Sequence, residues 1–204
     1  MPSAIAAAID QVVREHMAPV LSERGFRRKG RTFYREMAPG LLHALEVRGN
    51  KWNRGDEGSF DLTMWVEVIE VSEVVLQREA PGGRPLGYAV HAADPSKFLG
   101  RADQWWPIDA HHTPESAGLD VVTGLERVLN PYFEGFATRQ LVEAYLRDQA
   151  NRSRWRSGLH ALAIMLDRRG AHHEARAALE ECIAHAANEA VKDQLIRRGV
   201  RFPP

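Results

Sequence analysis

The chain of 204 residues carries 27 Lys+Arg against 27 Asp+Glu, a formal net charge of zero, and 44% of its residues are hydrophobic. That balance excludes a dedicated nucleic-acid coat or a polybasic membrane protein, while leaving room for a local charged patch. The length suits one ordinary domain, alone or with a smaller appendage, which buries roughly 70% of its extended surface and needs no metal or disulfide to hold a core.

Cys182 is the only cysteine, so neither an intramolecular disulfide nor a thiolate metal cluster can form. Leu179, Ile183 and Ala186 around it suggest a helix face on which it acts as a small buried hydrophobe. The segment from Met1 to Asp10 has no basic region ahead of its apolar residues, unlike a signal peptide. No apolar run approaches the ~20 residues that span a bilayer. A cytoplasmic protein without membrane contact is expected.

Ile5, Ile9, Val12, Val13, His16, Met17, Val20 and Leu21 recur at three- and four-residue spacing and predict an amphipathic helix, with Ser3 as N-cap and Gly25 as stop. Pro19 is expected to kink it or begin a fresh turn. The period then changes to two. Arg31 to Arg35 reads as a strand, Ala38-Pro39-Gly40 as a turn, and Leu41 to Arg48 as the next strand. Lys51 to Ser59 is polar and glycine-bearing, hence a loop. Across Phe60 to Val68 the apolar residues Phe60, Leu62, Met64, Val66 and Val68 alternate with Asp61, Thr63, Trp65 and Glu67. One covered face and one wet face are expected there, as in an antiparallel sheet. Pro81 to Pro85 makes a turn, and Leu86, Tyr88 and Val90 mark a further strand.

From Thr113 the pattern is helical. Thr113 as cap and Pro114 at the first helical position open a helix with Leu119, Val122, Leu125 and Leu129 inward. Asn130-Pro131 is expected to break it, with Phe133, Phe136, Leu141, Tyr145 and Leu146 on a second helix. Asn151 to Ser157 is a polar break, followed by Leu159 to Arg168, Ala171 to Ala187 and a short helix to Arg198. The prediction is an α+β fold: an N-terminal helix, an antiparallel sheet of about four or five strands, and a helical C-terminal third. Residues 1–130 form the sheet domain and 131–204 a helical extension packed on or beside it.

The run Leu21-x-x-x-Gly25-Phe26-x-x-Lys29-Gly30-x-x-Phe33-x-Arg35 resembles the opening of a bacterial family known only as a domain of unknown function. The resemblance would cover roughly residues 5 to 130 and implies a leading helix followed by antiparallel strands. It carries no catalytic residues. Such families are often suspected near toxin–immunity systems, which implies a binding role. Separately, Gly170-x-x-x-Glu174-Ala175-x-x-x-Leu179-x-x-Cys182 looks like the turn and second helix of one tetratricopeptide-type hairpin. A single unit makes no solenoid, so an antiparallel helical hairpin capping the sheet domain is the reading.

Arg24, Arg27, Arg28, Lys29, Arg31 and Arg35 crowd a short stretch with Phe26, Phe33 and Tyr34 between them. Arginine forks bind phosphate or carboxylate and aromatic faces stack bases, so the strip is a candidate nucleic-acid, phosphate or acidic-partner site. The bland reading is a solvated hairpin whose arginines pair with Glu23, Glu36, Glu46 and Glu70. Trp52 in a polar loop and Trp65 on the polar side of its strand are candidate interface anchors. Trp105 or Trp106 leans toward packing.

Asp109, His111 and His112, and the pair His172-His173, offer nitrogen ligands to which Asp103 or Glu115 could add oxygen, and Asp109, His111 or His112 could serve a hydrolase-like cleft. Adjacent histidines point apart and no metalloprotease spacing is present. The chain has no nucleophile elbow, no phosphate-binding loop and no dinucleotide fingerprint. The pairs Asp61/Glu67 and Glu70/Glu73 have spacing compatible with carboxylate chemistry, with exposed strand carboxylates as the bland reading. No cofactor is expected. The leading expectation is a non-enzymatic protein-binding module, with Arg27, Arg28, Lys29, Arg31, Arg35, Trp52 and Trp65 as its candidate contacts.

Overall fold

A computed structural model describes residues 3–148 and 156–184 of the chain. Helix α1 (Ala4–Gln11) is capped by Ser3, whose side chain accepts the Ala6 N–H at 3.2 Å. It runs into a π-helical turn (Val12–Met17) and then α2 (Ala18–Glu23), with Pro19 in the first turn of α2. The expected kink or fresh turn is a π-helical wide turn inside a continuous helix. Pro19 follows directly on that wide turn, the kind of local irregularity that a residue without a backbone donor accompanies inside a helix. Gly25 ends the helix at φ +79°, a conformation that suits glycine.

Strands β1 (Arg27–Lys29), β2 (Thr32–Ala38), β3 (Leu41–Gly49) and β4 (Gly58–Val68) follow. Helix α3 (Ile69–Leu76) leads to β5 (His91–Ala93), α4 (Pro95–Leu99), β6 (Trp106–Ile108) and α5 (Pro114–Glu134). Beyond lie α6 (Arg139–Arg147), α7 (Arg156–Arg168) and α8 (His172–Ala184). The sheet is antiparallel, with strand order β1-β2-β3-β4-β5 and β6 pairing with β4. In the β1–β2 hairpin Arg27 opposes Tyr34, Arg28 opposes Phe33 and Lys29 opposes Thr32. The polar break at Asn151 to Ser157 and the short helix to Arg198 lie largely or wholly outside the described residues.

The expected wet face of β4 is not wet. Asp61 is 6% exposed, Trp65 7% and Glu67 0%, so β4 is buried on both sides. Alternation of residue type failed as a guide because both carboxylates are paired. Asp61 receives the Arg48 guanidinium, and Glu67 accepts the N–H groups of Leu86 and Gly87 at 2.7 and 3.1 Å. A buried carboxylate is tolerable on those terms. The same loop contacts remove the strand expected at Leu86 to Val90, which is irregular, and the short β5 comes after it.

Two compact units interleave along the chain. The first takes the chain to Arg35, His43–Trp65 and Ala92–Glu134; the second takes Glu36–Leu42, Val66–His91 and the described residues from Gly135. Within the first, α5 packs on the π-helical turn and on α4. Its buried stripe is Ala117, Gly118, Val121, Gly124, Leu125, Val128, Leu129, Tyr132 and Phe133, while Leu119, expected inward, is 58% exposed. Small residues mark the contact face because neighbours come close. A Cβ on Gly118 would lie 2.4 Å from the His16 ring, and one on Gly124 would lie 2.8 Å from Leu99.

Nor does Pro131 break α5, which continues to Glu134. Its ring is on the solvent side, and Tyr132 and Phe133 beyond it are buried, so packing outweighs one lost backbone bond. Phe133 therefore belongs to α5, stacked on His43 with ring centroids 4.2 Å apart, and Phe136 falls just after it.

Within the second unit α7 packs on α8, on α6 and on α3. On α6 Leu141 is 43% exposed, whereas Val142 and Leu146 are buried. Arg139 of α6 pairs with Glu70 and donates to the Pro39 carbonyl at 3.1 Å. Gly170 at φ +85° joins α7 and α8 into the expected helical hairpin, with Ala175, Ala178, Leu179 and Cys182 buried. Burial pushes the Cys182 thiol pKa up, and the nearby Glu181 adds to it.

Candidate functional site

The loop after β3 is built by asparagine. The Asn50 side chain accepts the Trp52 N–H at 3.0 Å and donates to Ser59 Oγ at 3.2 Å. Asn53 grips Ser59 from both sides, donating to its carbonyl and accepting its N–H, each at 2.8 Å. Gly58 lets this happen, since a Cβ there would meet the Asn53 side chain at 2.6 Å. Arg54 and Glu57 close the tip as an antiparallel bridge. Asparagine side chains mimic backbone in such turns, which is why a polar, glycine-bearing segment holds one shape.

This fixed loop presents Trp52 to solvent at 68% exposure, with Lys51 Nζ 4.9 Å from its ring centroid. Beside it an open groove of about 480 Å³ is lined by Arg48, Gly49, Asn50, Lys51, Trp52, Asp61 and Trp105. Arg48 makes the floor: Nε meets Asp61 Oδ1 at 3.1 Å and Nη2 meets Oδ2 at 2.9 Å. That pairing raises the Arg48 pKa further, with smaller help from Glu46 and Asp94. Trp105 reaches the groove from the segment before β6, where its N–H is held by Asp103 at 3.0 Å. Its neighbour Trp106 points into the core at 1% exposure, near Phe60 and under the Arg101 guanidinium.

Of the sequence candidates, Trp52 lines this groove and Trp65 does not, being buried. The basic strip divides. Arg31 is turned back onto α1, at 2.7 Å from Asp10 and 2.8 Å from the Ala6 carbonyl. Arg24 faces Glu126 at 3.8 Å. Arg35 lies over the Phe26 and Phe133 rings, 4.7 and 5.7 Å from their centroids, and donates to the Arg24 carbonyl. Burial, then the nearby Arg24 charge, lowers its pKa. None of these three pairs with the glutamates expected from the sequence. Phe26, Phe33 and Tyr34 are buried at 5%, 1% and 6% exposure, so no base-stacking face remains in the strip. Arg27, Arg28 and Lys29 stay exposed on β1.

A family model described as a domain of unknown function, DUF4304, matches residues 17–135. The chain belongs to that family. No curated protein and no solved structure matches it. The groove and the basic strip of this DUF4304 chain both fall inside the matched residues, whereas the α6–α8 helices lie beyond them.

Asp109 gathers its histidines by turn geometry. Its Oδ1 accepts the N–H groups of His111 and His112 at 2.7 and 2.8 Å, and the His112 ring nitrogen lies 3.0 Å away. Those backbone donors hold the Asp109 carboxyl below its ordinary pKa. The arrangement shapes the entry to α5. Among the described residues no three His, Cys, Asp or Glu side chains converge as a metal site. Also among them, no helix is long and apolar enough to cross a membrane. The sequence reading missed Arg48 and the contribution of Trp105 to the groove. The Asn50, Asn53 and Gly58 spacing was the signal that the tryptophan loop is rigid.

Proposed function

We propose that this DUF4304 protein is a non-enzymatic protein-binding module, of adaptor or immunity type, and that the Trp52–Trp105 groove grips its partner. The observation that carries this reading is Trp52, two-thirds exposed yet mounted on a loop fixed by Asn50, Asn53 and Ser59. Tryptophan and arginine dominate interface hot spots, and a pre-ordered anchor loses little side-chain entropy on binding. The groove is open, which fits a protein surface better than an enclosed small molecule.

Two rival readings have less support. Nucleic acid or a phosphate ligand on the strip 24–35 retains three exposed cations but lacks exposed aromatic rings. A hydrolase-like cleft at Asp109, His111 and His112 rests on one carboxylate–histidine contact within an exposed turn.

The test compares wild type with the W52A/W105A variant as baits in a native lysate, washed in high salt, followed by binding of the purified partner to both. A protein held by wild type and lost by a stably folded variant supports the reading. Equal retention by both baits overturns it. Nucleic acid released by salt favours the first rival, since phosphate contacts release counterions.

A further inference from the structure

Among the described residues, strand β1 ends the sheet and pairs in it with β2 alone. An antiparallel ladder engages only half of an edge strand's N–H and C=O groups, so the other half faces outward. All three residues of β1 are exposed and cationic: Arg27, Arg28 and Lys29. Among the described residues their side chains make no ion pair, and Arg27 merely lies over the Tyr34 ring, 5.3 Å from its centroid. Successive side chains alternate across a strand, so Arg27 and Lys29 charge one face and Arg28 the other.

We infer that β1 is a docking edge for an extended acidic segment of another protein, which adds as a strand beside Arg27–Lys29. Charge complementarity selects this occupant. A second copy of the chain would bring an equally cationic edge and be repelled, which is how charged edges prevent self-pairing. An acidic strand reverses that sign and satisfies the open backbone groups, the usual basis of strand addition. Nucleic acid is the poorer match. Three cations span only about 10 Å, and the rings beside them are in the core. The inference does not depend on the Trp52 groove, because none of these residues lines it.

The experiment uses the full chain and a fluorescent peptide alternating glutamate and valine. Three companions accompany it: the same peptide N-methylated at alternate residues, its lysine–valine counterpart, and an oligothymidylate. Binding of the acidic peptide is expected to perturb the Arg27, Arg28 and Lys29 amide resonances. It should weaken about tenfold in the R27E/R28E/K29E variant, as three lost exposed charge contacts imply. N-methylation, which leaves charge intact, should weaken binding at least as much. Those variants change exposed residues, and circular dichroism checks that they fold; R28A with its smaller change serves if the triple variant does not.

Equal binding of the N-methylated peptide would overturn strand addition. So would tighter binding of the oligothymidylate, binding of the lysine–valine peptide, or self-association of the chain through β1. No binding of the acidic peptide would overturn it too. The groove variant W52A/W105A should bind the acidic peptide like wild type, so failure here and failure of the groove reading are distinguishable.

Discussion

The guanidinium of Arg48 and the carboxylate of Asp61 meet side-on, with two bonds of 3.1 and 2.9 Å, yet they live in different solvents. The Arg48 side chain is 54% exposed and that of Asp61 only 9%. Removing the exposed partner strands a buried acceptor pair, whereas removing the buried one frees a cation to rehydrate. R48A should therefore cost about 1–3 kcal/mol, and D61N clearly less. Urea unfolding of both variants checks the order. Equal losses would mean that solvent reaches Asp61 without Arg48.

Two of the tryptophans separate binding from folding. W52A should leave stability within about 0.5 kcal/mol of wild type, because the ring is mostly in water. W106A, at 1% exposure against Phe60, should lose about 3–5 kcal/mol. A W52A protein that melts far below wild type would turn that residue from an anchor into a structural element.

Helix α5 sets up a test of close approach. Glycine to alanine in an open helix interior gains about 1 kcal/mol. At Gly118 the new methyl would sit 2.4 Å from the Cγ and Cδ2 atoms of His16, so G118A should instead lose about 1–3 kcal/mol. The double variant H16A/G118A should be more stable than G118A alone. If it is not, the neighbouring backbone rather than the His16 ring sets the limit.

The parts of this fold that were legible in the sequence are those where one physical signal acts alone. Ser3 caps, Gly25 stops, and Leu41 to Arg48 makes a strand, and each forms what was expected of it. Legibility fails where polar residues are satisfied inside the molecule. Asp61 and Glu67 look like solvent-facing positions until Arg48 and the Leu86–Gly87 amides are brought to them. Helix α3 was hidden because Ile69, Val71, Val74 and Val75 are β-branched, a residue type that favours strands. Strand β1 was hidden for the opposite reason: Arg27, Arg28 and Lys29 offer no apolar period at all. At the site, Trp52 stood out as an oddity in a polar loop. Arg48 did not, since nothing along the chain shows that Asp61 faces it across the β3–β4 pair.

A histidine gives the fold a predictable pH response. His91 stacks on Phe136 at 4.9 Å and meets the edge of Tyr145 at 4.9 Å. Burial lowers its pKa from the ordinary 6.5, so the folded state favours neutral imidazole. Between the lowered folded value and 6.5 the unfolded chain binds more protons than the folded one. Stability from this residue is therefore complete above the unfolded value and is lost as pH falls below it. H91F keeps a ring in the stack and removes the titration. Its urea-unfolding free energy should fall less steeply than that of wild type from roughly pH 7 to pH 5. H91F leaves every other histidine in place, so the difference in slope belongs to His91. Parallel curves for the two proteins would show that His91 takes up its proton without leaving the rings.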